Sequence, residues 1–303
     1  MTSPQIRVAV IGLGSMGFGM ALSLHRAGLH VTGCDVSPEA VGRFVAEGGQ
    51  GASSPAEAAR DADIAVSVVV NAAQTEAILF GKDSVGETLK QDAVFVSSAT
   101  MDPDIARRLA KQLELTGRHY LDAPISGGAQ RAAQGELTIL ASGSKAAFAK
   151  ARPALDAMAA KLYELGDAAG QGAAFKMINQ LLAGVHIAAA SEAIAFAAKQ
   201  GLDIAKVYEV ITASAGNSWM FENRIPHVLD GDYTPRSAVD IFVKDLGIIQ
   251  DMARTAKFPV PVSAAALQMF LMTSASGMGR DDDASVARMY AQVTGTTLPG
   301  KKD

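Results

Sequence analysis

The chain of 303 residues offers four clusters in which residue type and spacing could do chemistry. The first is Gly12-Leu13-Gly14-Ser15-Met16-Gly17. It follows the apolar run Ile6–Ile11 and opens a stretch with helical spacing through Met16, Met20, Leu24 and Ala27. Between a strand and a helix, glycines so spaced make a phosphate cradle. The first allows a tight turn, the second lets backbone approach a pyrophosphate, and the third lets helix and strand pack closely. The start of the helix then offers free N–H groups and the positive end of its dipole to the phosphates. Asp35 closes the next strand candidate, 18 residues after Gly17. A carboxylate there accepts hydrogen bonds from both hydroxyls of a ribose and repels a 2′-phosphate. Val36-Ser37-Pro38 brings no arginine to hold such a phosphate. The pattern points to NAD rather than NADP, unless Asp35 only caps the turn that follows it.

The second cluster is Asp122-Ala123-Pro124-Ile125-Ser126-Gly127-Gly128. Ser126 supplies a hydroxyl, and Gly127 and Gly128 let backbone N–H groups converge on an anion such as a carboxylate. The same composition also suits an ordinary turn. The third is Lys176, early in a helical stretch, with Asn179 and Gln180 three and four residues on and so on its face. A lysine against an apolar face can work as a general acid or base, or its stem can simply cover apolar surface. The fourth is Phe242-Val243-Lys244-Asp245-Leu246. Asp240 stands one helical turn before Lys244, so a surface ion pair is the plain alternative there.

The elements that must position these residues follow from the apolar pattern. Ile6–Ile11, Val31–Cys34, Ile64–Val70, Val94–Ser97, Tyr120–Asp122 and Leu137–Ala141 read as strands. Ser15–Ala27, Pro38–Glu47, Ala73–Leu79, Pro103–Leu115 and Ala146–Ala160 read as the helices between them. Strands alternating with helices imply a parallel sheet wound by right-handed crossovers. After about Gly166 the strand signal ends. Gly170–Gln200, Ile204–Ser214, Trp219–Leu229, Val239–Lys257, Pro261–Thr273 and Asp283–Val293 read as helices. The fold class is therefore α/β: an N-terminal doubly wound Rossmann domain over 1–165, then an all-α domain over 166–303. Pro299–Asp303 is expected to fray.

Composition narrows the function classes. Lys plus Arg is 27 and Asp plus Glu is 31, a formal charge of −4, which disfavours nucleic acid and anionic membrane surfaces as partners. The one cysteine, Cys34, excludes an intramolecular disulfide and a cysteine metal cluster. A reducing, cytoplasmic setting is expected, and no signal-peptide pattern occupies Met1–Arg7. Leu181–Ala198 is long enough for a membrane span, but it contains His186, Ser191 and Glu192 and is rich in alanine. It reads as a long buried helix, with His186 as a core histidine. Trp219 and Phe221 are expected to pack between helices or at a subunit contact. Asp281-Asp282-Asp283 resembles a metal-binding run. A turn with a helix N-cap at Asp283 fits it better, so no metal is expected.

In this order the four clusters resemble the β-hydroxyacid dehydrogenase family, which includes 3-hydroxyisobutyrate, tartronate semialdehyde and 6-phosphogluconate enzymes. The resemblance runs from about residue 5 to 293. It implies that Lys176 is the catalytic lysine and that Ser126, Gly127 and Gly128 form the substrate-carboxylate loop. It implies that Lys244 closes over the nicotinamide end of the cofactor, that Thr100 lies beside the nicotinamide, and that Val70 and Asn71 line the cofactor groove. Two positions depart from the family pattern. Asn179-Gln180 stands where Asn-Asn is common, and Ala99-Thr100 where Ser-Thr is common. The second Asn normally touches substrate, so Gln180 implies an altered pocket.

Within the family, Asn179–His186 and Asn217–Arg224 look most like the L-threonate dehydrogenases. That subgroup oxidises the C2 hydroxyl of a four-carbon sugar acid to a 2-keto acid with NAD. The resemblance leaves two other readings: a reductase of glyoxylate, succinic semialdehyde or tartronate semialdehyde, and a catalytically silent dinucleotide-binding protein. The silent relatives would be expected to have lost the lysine. A homodimer or homotetramer through the helical half is also expected, because the Ala-rich helix over 170–200 is too apolar for an exposed face.

Overall fold

A computed structural model describes residues 5–300; residues 301–303 of the expected frayed tail and 1–4 of the N-terminal segment lie outside the described residues. The chain divides into two compact units, one through Met177 and one from Ile178.

The first unit begins β1 (Arg7–Ile11), α1 (Gly17–Arg26), β2 (His30–Cys34), α2 (Pro38–Ala46), β3 (Gln50–Ala52), α3 (Pro55–Ala59) and β4 (Ile64–Ser67). It continues through α4 (Ala72–Phe80), α5 (Val85–Thr88), β5 (Val94–Ser97), α6 (Pro103–Glu114) and β6 (His119–Asp122). These six strands form one parallel sheet in the order β3-β2-β1-β4-β5-β6. Both faces of the sheet are covered, which is why its strands read as unbroken apolar runs. Alternate residues supply two separate cores. Val8, Val10, Ile64, Val66, Val94, Val96 and Leu121 face one, and Ala9, Ile11, Ala65, Phe95 and Tyr120 face the other. Strand order reverses between β1 and β4, and in such sheets ligands bind outside the carboxyl ends at that reversal.

A second sheet follows: β7 (Ile125–Ser126), α7 (Gly128–Gln134), β8 (Leu137–Ala141), α8 (Lys145–Met158) and β9 (Ala159–Glu164). Here β7 pairs antiparallel with β8, and β8 parallel with β9. Leu137–Ala141 is a strand as its pattern suggests, but it belongs to this small sheet and not to the main one. The helix expected to run to Ala160 stops at Met158 and gives way to β9. Ala159–Glu164 is mostly solvent-facing, so it carries none of the apolar alternation that marks a strand. The expected boundary at 165/166 follows directly on the last strand. The compact unit reaches further, taking in the first turns of α9 (Gln171–Lys199).

From Ile178 on, every described element is helical or a turn: the rest of α9, then α10 (Ile204–Thr212), α11 (Trp219–Asp230), α12 (Val239–Ala256), α13 (Pro261–Thr273) and α14 (Val286–Thr294). Ile194, Ile204, Phe221, Ile225, Val228 and Ala287 form a core here. Phe242 stacks on Phe270 with ring centroids 5.1 Å apart. Phe221 is buried and stacks on Tyr208, whereas Trp219 is 55% exposed, so of its two expected placements it does not pack between helices of the chain. His186 is only half-buried. The aspartate run also differs from expectation. The capping residue is Asp282, whose carboxylate accepts from Ala284 N, while Asp283 is fully buried against the Arg224 guanidinium. Asp282 also pairs with His227 Nδ1 at 2.8 Å. These carboxylates are therefore structural anchors, and among the described residues no cluster of His, Cys, Asp or Glu could hold a metal. The helix expected to be buried is so only in part: 44% of the most apolar stretch of α9 is buried, and by length and composition alone it is also long and apolar enough to cross a membrane.

Candidate active site

Four loops leave the carboxyl edge of the main sheet side by side. Past the strand ends, Gly12 N donates to Cys34 O, Val68 N to Ile11 O, Ser98 N to Ser67 O and Ala123 N to Ser97 O, all at 2.8–2.9 Å. The structure thereby gathers, in the first unit, the Gly12–Gly17 turn, the Val70-Asn71 segment, Thr100 and the start of the Ser126 loop.

The three glycines of the turn differ in what requires them. Gly12 has φ +97°, and a Cβ there would stand 2.4 Å from Val68 O. A Cβ on Gly17 would stand 1.8 Å from Gly12 O. Both are demanded by the protein's own packing. At Gly14 a Cβ would meet nothing within 4 Å, so no contact inside the chain calls for glycine. The space over Gly14 is open, at the helix start where the pyrophosphate of a dinucleotide would rest. The residues present therefore fit a dinucleotide.

The neighbouring side chains are already organised. Leu13 is fully buried, and its N–H donates to Asp35 Oδ2 at 2.6 Å; Asp35 Oδ1 accepts from Ser37 N at 2.8 Å. Both carboxylate oxygens are thus pinned by backbone, and each keeps acceptor capacity for a ribose hydroxyl. The turn-capping alternative and the ribose role are compatible at this residue. Ser15 is exposed and Met16 half-buried at the mouth of the turn. Asn71 caps α4 by accepting from Gln74 N at 2.9 Å, and Gln74 Oε1 accepts in return from Val70 N at 2.9 Å. Cys34 is buried, and burial with the nearby Asp35 and Glu57 charges pushes its thiol up to about 11, so it is no nucleophile.

Lys176 is 8% exposed, and its Nζ donates to Ile125 O at 2.9 Å. That bond sets the amino group beside Ser126. Gly127 and Gly128 take φ +140° and +79°, values that side chains resist. The loop is braced by α7, which lies against α1. Ser23 Oγ donates to Ala132 O at 2.9 Å, and a Cβ on Gly19 would come within 2.6 Å of Ala133 N. Gly19 is a packing glycine that the three-glycine pattern misses, and the longer Gly-x-Gly-x-x-Gly-x-Gly spacing was its signal.

In the second unit, Asn179 is exposed and Gln180 is 7% exposed. Gln180 Oε1 accepts from Asn179 Nδ2 at 2.9 Å, and its Nε2 donates to Asp245 Oδ2 at 2.5 Å. Lys244 Nζ lies 2.7 Å from Asp245 Oδ1. Asp240, the alternative partner of Lys244, accepts from Ser274 Oγ at 2.6 Å. Asp245 is 1% exposed and joins Gln180 to Lys244. Sequence reading quoted it only as the neighbour of Lys244.

Two matches to known protein families complete the case. Residues 7–166 match the NAD-binding domain of 6-phosphogluconate dehydrogenase. Residues 170–290 match the NAD-binding domain of NADP-dependent 3-hydroxyisobutyrate dehydrogenase. The chain belongs to the β-hydroxyacid dehydrogenase family. It is 52% identical over 296 residues to an L-threonate dehydrogenase of Cupriavidus necator, covering 98% of this chain and 99% of that one. It is 47% identical over 302 residues to an L-threonate dehydrogenase of Escherichia coli K12, covering 99% of each. Among solved structures, a 3-hydroxyisobutyrate dehydrogenase from Salmonella typhimurium superposes with a TM-score of 0.90 at 49% identity, covering 94% of this chain and 100% of that one. As a member of this family the protein is an NAD-dependent hydroxyacid dehydrogenase, with a Rossmann domain followed by a helical one. The silent-protein alternative falls away.

Proposed function

We propose that this dehydrogenase oxidises L-threonate at C2 to the 2-keto acid. The identity to L-threonate dehydrogenases over nearly the whole chain carries this reading. When bound, NAD accepts the hydride from the carbon that bears the reacting hydroxyl. The Gly12–Gly17 turn holds the pyrophosphate, Asp35 the ribose hydroxyls, and Val70, Asn71 and Thr100 line the groove. Ser126 and the Gly127-Gly128 backbone take the substrate carboxylate. Lys176 takes the hydroxyl proton, and the ammonium so formed stabilises the oxygen as it gains negative charge. Asn179 touches the substrate, with Gln180 buried behind it and tied to Asp245. Lys244 closes over the nicotinamide end.

The working form is a cytoplasmic homodimer or homotetramer with no nucleic-acid or membrane partner. Phe175, Ile178 and Leu182 are 54%, 62% and 49% exposed and recur at helical spacing on α9, the pattern of a helix face that packs on a second copy.

The test is a panel of three- and four-carbon hydroxy acids with NAD. It includes L-threonate and 3-hydroxyisobutyrate, and the reverse reaction is run on glyoxylate, succinic semialdehyde and tartronate semialdehyde. The expected result is the highest kcat/KM for L-threonate. A tenfold higher value for any other compound overturns the assignment.

A further inference from the structure

A carboxylate that the proposed chemistry does not use stands at the end of β6. Asp122 is 1% exposed. Its Oδ2 accepts from Gly170 N at 2.9 Å and from Ala173 N at 2.8 Å. Ser142, fully buried, accepts from Gly172 N at 2.9 Å through Oγ and donates to the same Asp122 oxygen at 3.3 Å. A helix leaves its first N–H groups without internal partners. At the start of α9 three of them are met by two side chains from a different part of the chain. The backbones are equally close: a Cβ on Gly172 would come within 2.3 Å of Leu140 O and 3.0 Å of Asp122 O, and Gly170 takes φ +102°. This explains both glycines of Gly170-Gln171-Gly172.

Lys176 lies four residues beyond Gly172 on the same helix, and its Nζ reaches Ile125 O, three residues beyond Asp122. A slip of one residue would move a helix by about 1.5 Å and turn it by about 100°, which breaks that contact. We propose that Asp122 and Ser142 are positioning residues for proton transfer, clamping the first turn of α9 in the register that presents Lys176 to the Ser126 loop. The inference rests on the proposed role of Lys176. Burial pushes the Asp122 carboxyl up to about 6 against the pull of the Ala173 and Gly170 amides and the Ser142 hydroxyl, so its ionised form depends on those donors.

The experiment is a double-mutant cycle of Asp122→Ala with Lys176→Ala, read as kcat, KM and the NAD Kd from fluorescence titration. A misplacement of about 1 Å at a reacting group costs roughly 100-fold, so Asp122→Ala alone is expected to lower kcat by about that factor, with the NAD Kd shifted less than about threefold. Asp122→Asn, which keeps an oxygen for the two amides, is expected to recover most of the loss. In the Lys176→Ala background Asp122→Ala should cost almost nothing further, because the group being positioned is gone. Equal losses in both backgrounds, or an Asn variant as slow as the Ala variant, overturn the inference and leave the Lys176 role standing. Near-normal turnover of Lys176→Ala alone overturns both. Ser142→Ala leaves the carboxylate in place and carries the same cycle if Asp122→Ala does not fold. Its kcat loss is expected to be about fivefold by a smaller displacement, again absent without Lys176.

Discussion

Replacing Gly14 by alanine separates a ligand's demand for glycine from the fold's own. In the protein alone the added methyl meets nothing within 4 Å, whereas at Gly12 it would stand 2.4 Å from Val68 O and at Gly17 1.8 Å from Gly12 O. Gly14→Ala should therefore fold as well as the parent, with a change of less than about 1 kcal/mol, and the lost freedom of the unfolded chain can make it slightly more stable. Binding is another matter. A Cβ extends about 1.5 Å from the backbone, enough to push a pyrophosphate resting there beyond hydrogen-bond reach of the helix-start amides. Losing one hydrogen bond to a charged group costs about 1.5–3 kcal/mol. That corresponds to an NAD Kd raised roughly 10- to 150-fold. The assay is fluorescence titration with NAD beside a thermal melt. Gly12→Ala is the contrast, because its φ of +97° and its clash predict a loss of stability itself. An NAD Kd for Gly14→Ala equal to the parent's would refute the placement of the pyrophosphate.

Lys176→Ala should lower kcat by about 10²–10⁴, the range of general acid–base assistance, while leaving the NAD Kd within about twofold; turnover near the parent's would remove the lysine from the mechanism. Asp35→Ala gives up the repulsion of a 2′-phosphate and the acceptors of Leu13 N and Ser37 N. The ratio of NADP Kd to NAD Kd should fall about tenfold, the effect of one lost hydrogen bond to a charge, and an unchanged ratio would show that Asp35 does not discriminate between them. Asp122 sits among Arg107, Tyr120 and Ser142, with its carboxyl raised from 3.8 to about 6. A carboxyl raised in the folded state contributes its stability below about pH 4 and loses it as pH climbs through about 6. At 1.36 kcal/mol per pH unit the change approaches about 3 kcal/mol. The stability of the parent relative to Asp122→Asn, from urea titrations, should fall by up to that amount between pH 4 and 6, and a constant difference would contradict the raised value.

The parallel sheet was legible because both of its faces are buried. β1, β4 and β5 are near-continuous Val, Ile, Ala and Phe, and each is followed by a glycine, an asparagine cap or a Pro-initiated helix. β3, α3 and α5 were not, because three to five residues are too few to show a period. β9 escaped for the opposite reason: its solvent-facing residues carry no apolar code. The glycine turn could be picked out from type and spacing, since positive φ and close approach leave few alternatives to glycine, whereas Lys176 was singled out by the family resemblance and by type alone read as well as a lysine covering apolar surface. What a sequence of this kind conceals is the partner. Nothing in Asp122 or Ser142 advertises that their oxygens meet amides of residues 170–173, because these segments lie about 30 to 50 residues apart in the sequence and meet only in the folded structure.

Gln180 shows the same limit from the other side. As a departure from the paired asparagines of the family it is visible at once, and its added methylene suggests a longer reach into the substrate pocket. In the structure the side chain is 7% exposed, and the added length joins Asn179 Nδ2 to Asp245 Oδ2. Asp245 in turn sits 2.7 Å from the Lys244 ammonium. A buried carboxylate is strongly disfavoured without compensation, and here the Gln180 amide hydrogen-bonds one oxygen while the Lys244 charge lies 2.7 Å from the other. The glutamine therefore fixes how the Asn179 side chain is held and ties it, through Asp245, to Lys244. Asn179, Gln180, Asp245 and Lys244 form one connected set, so a change at position 180 alters how the other three are held.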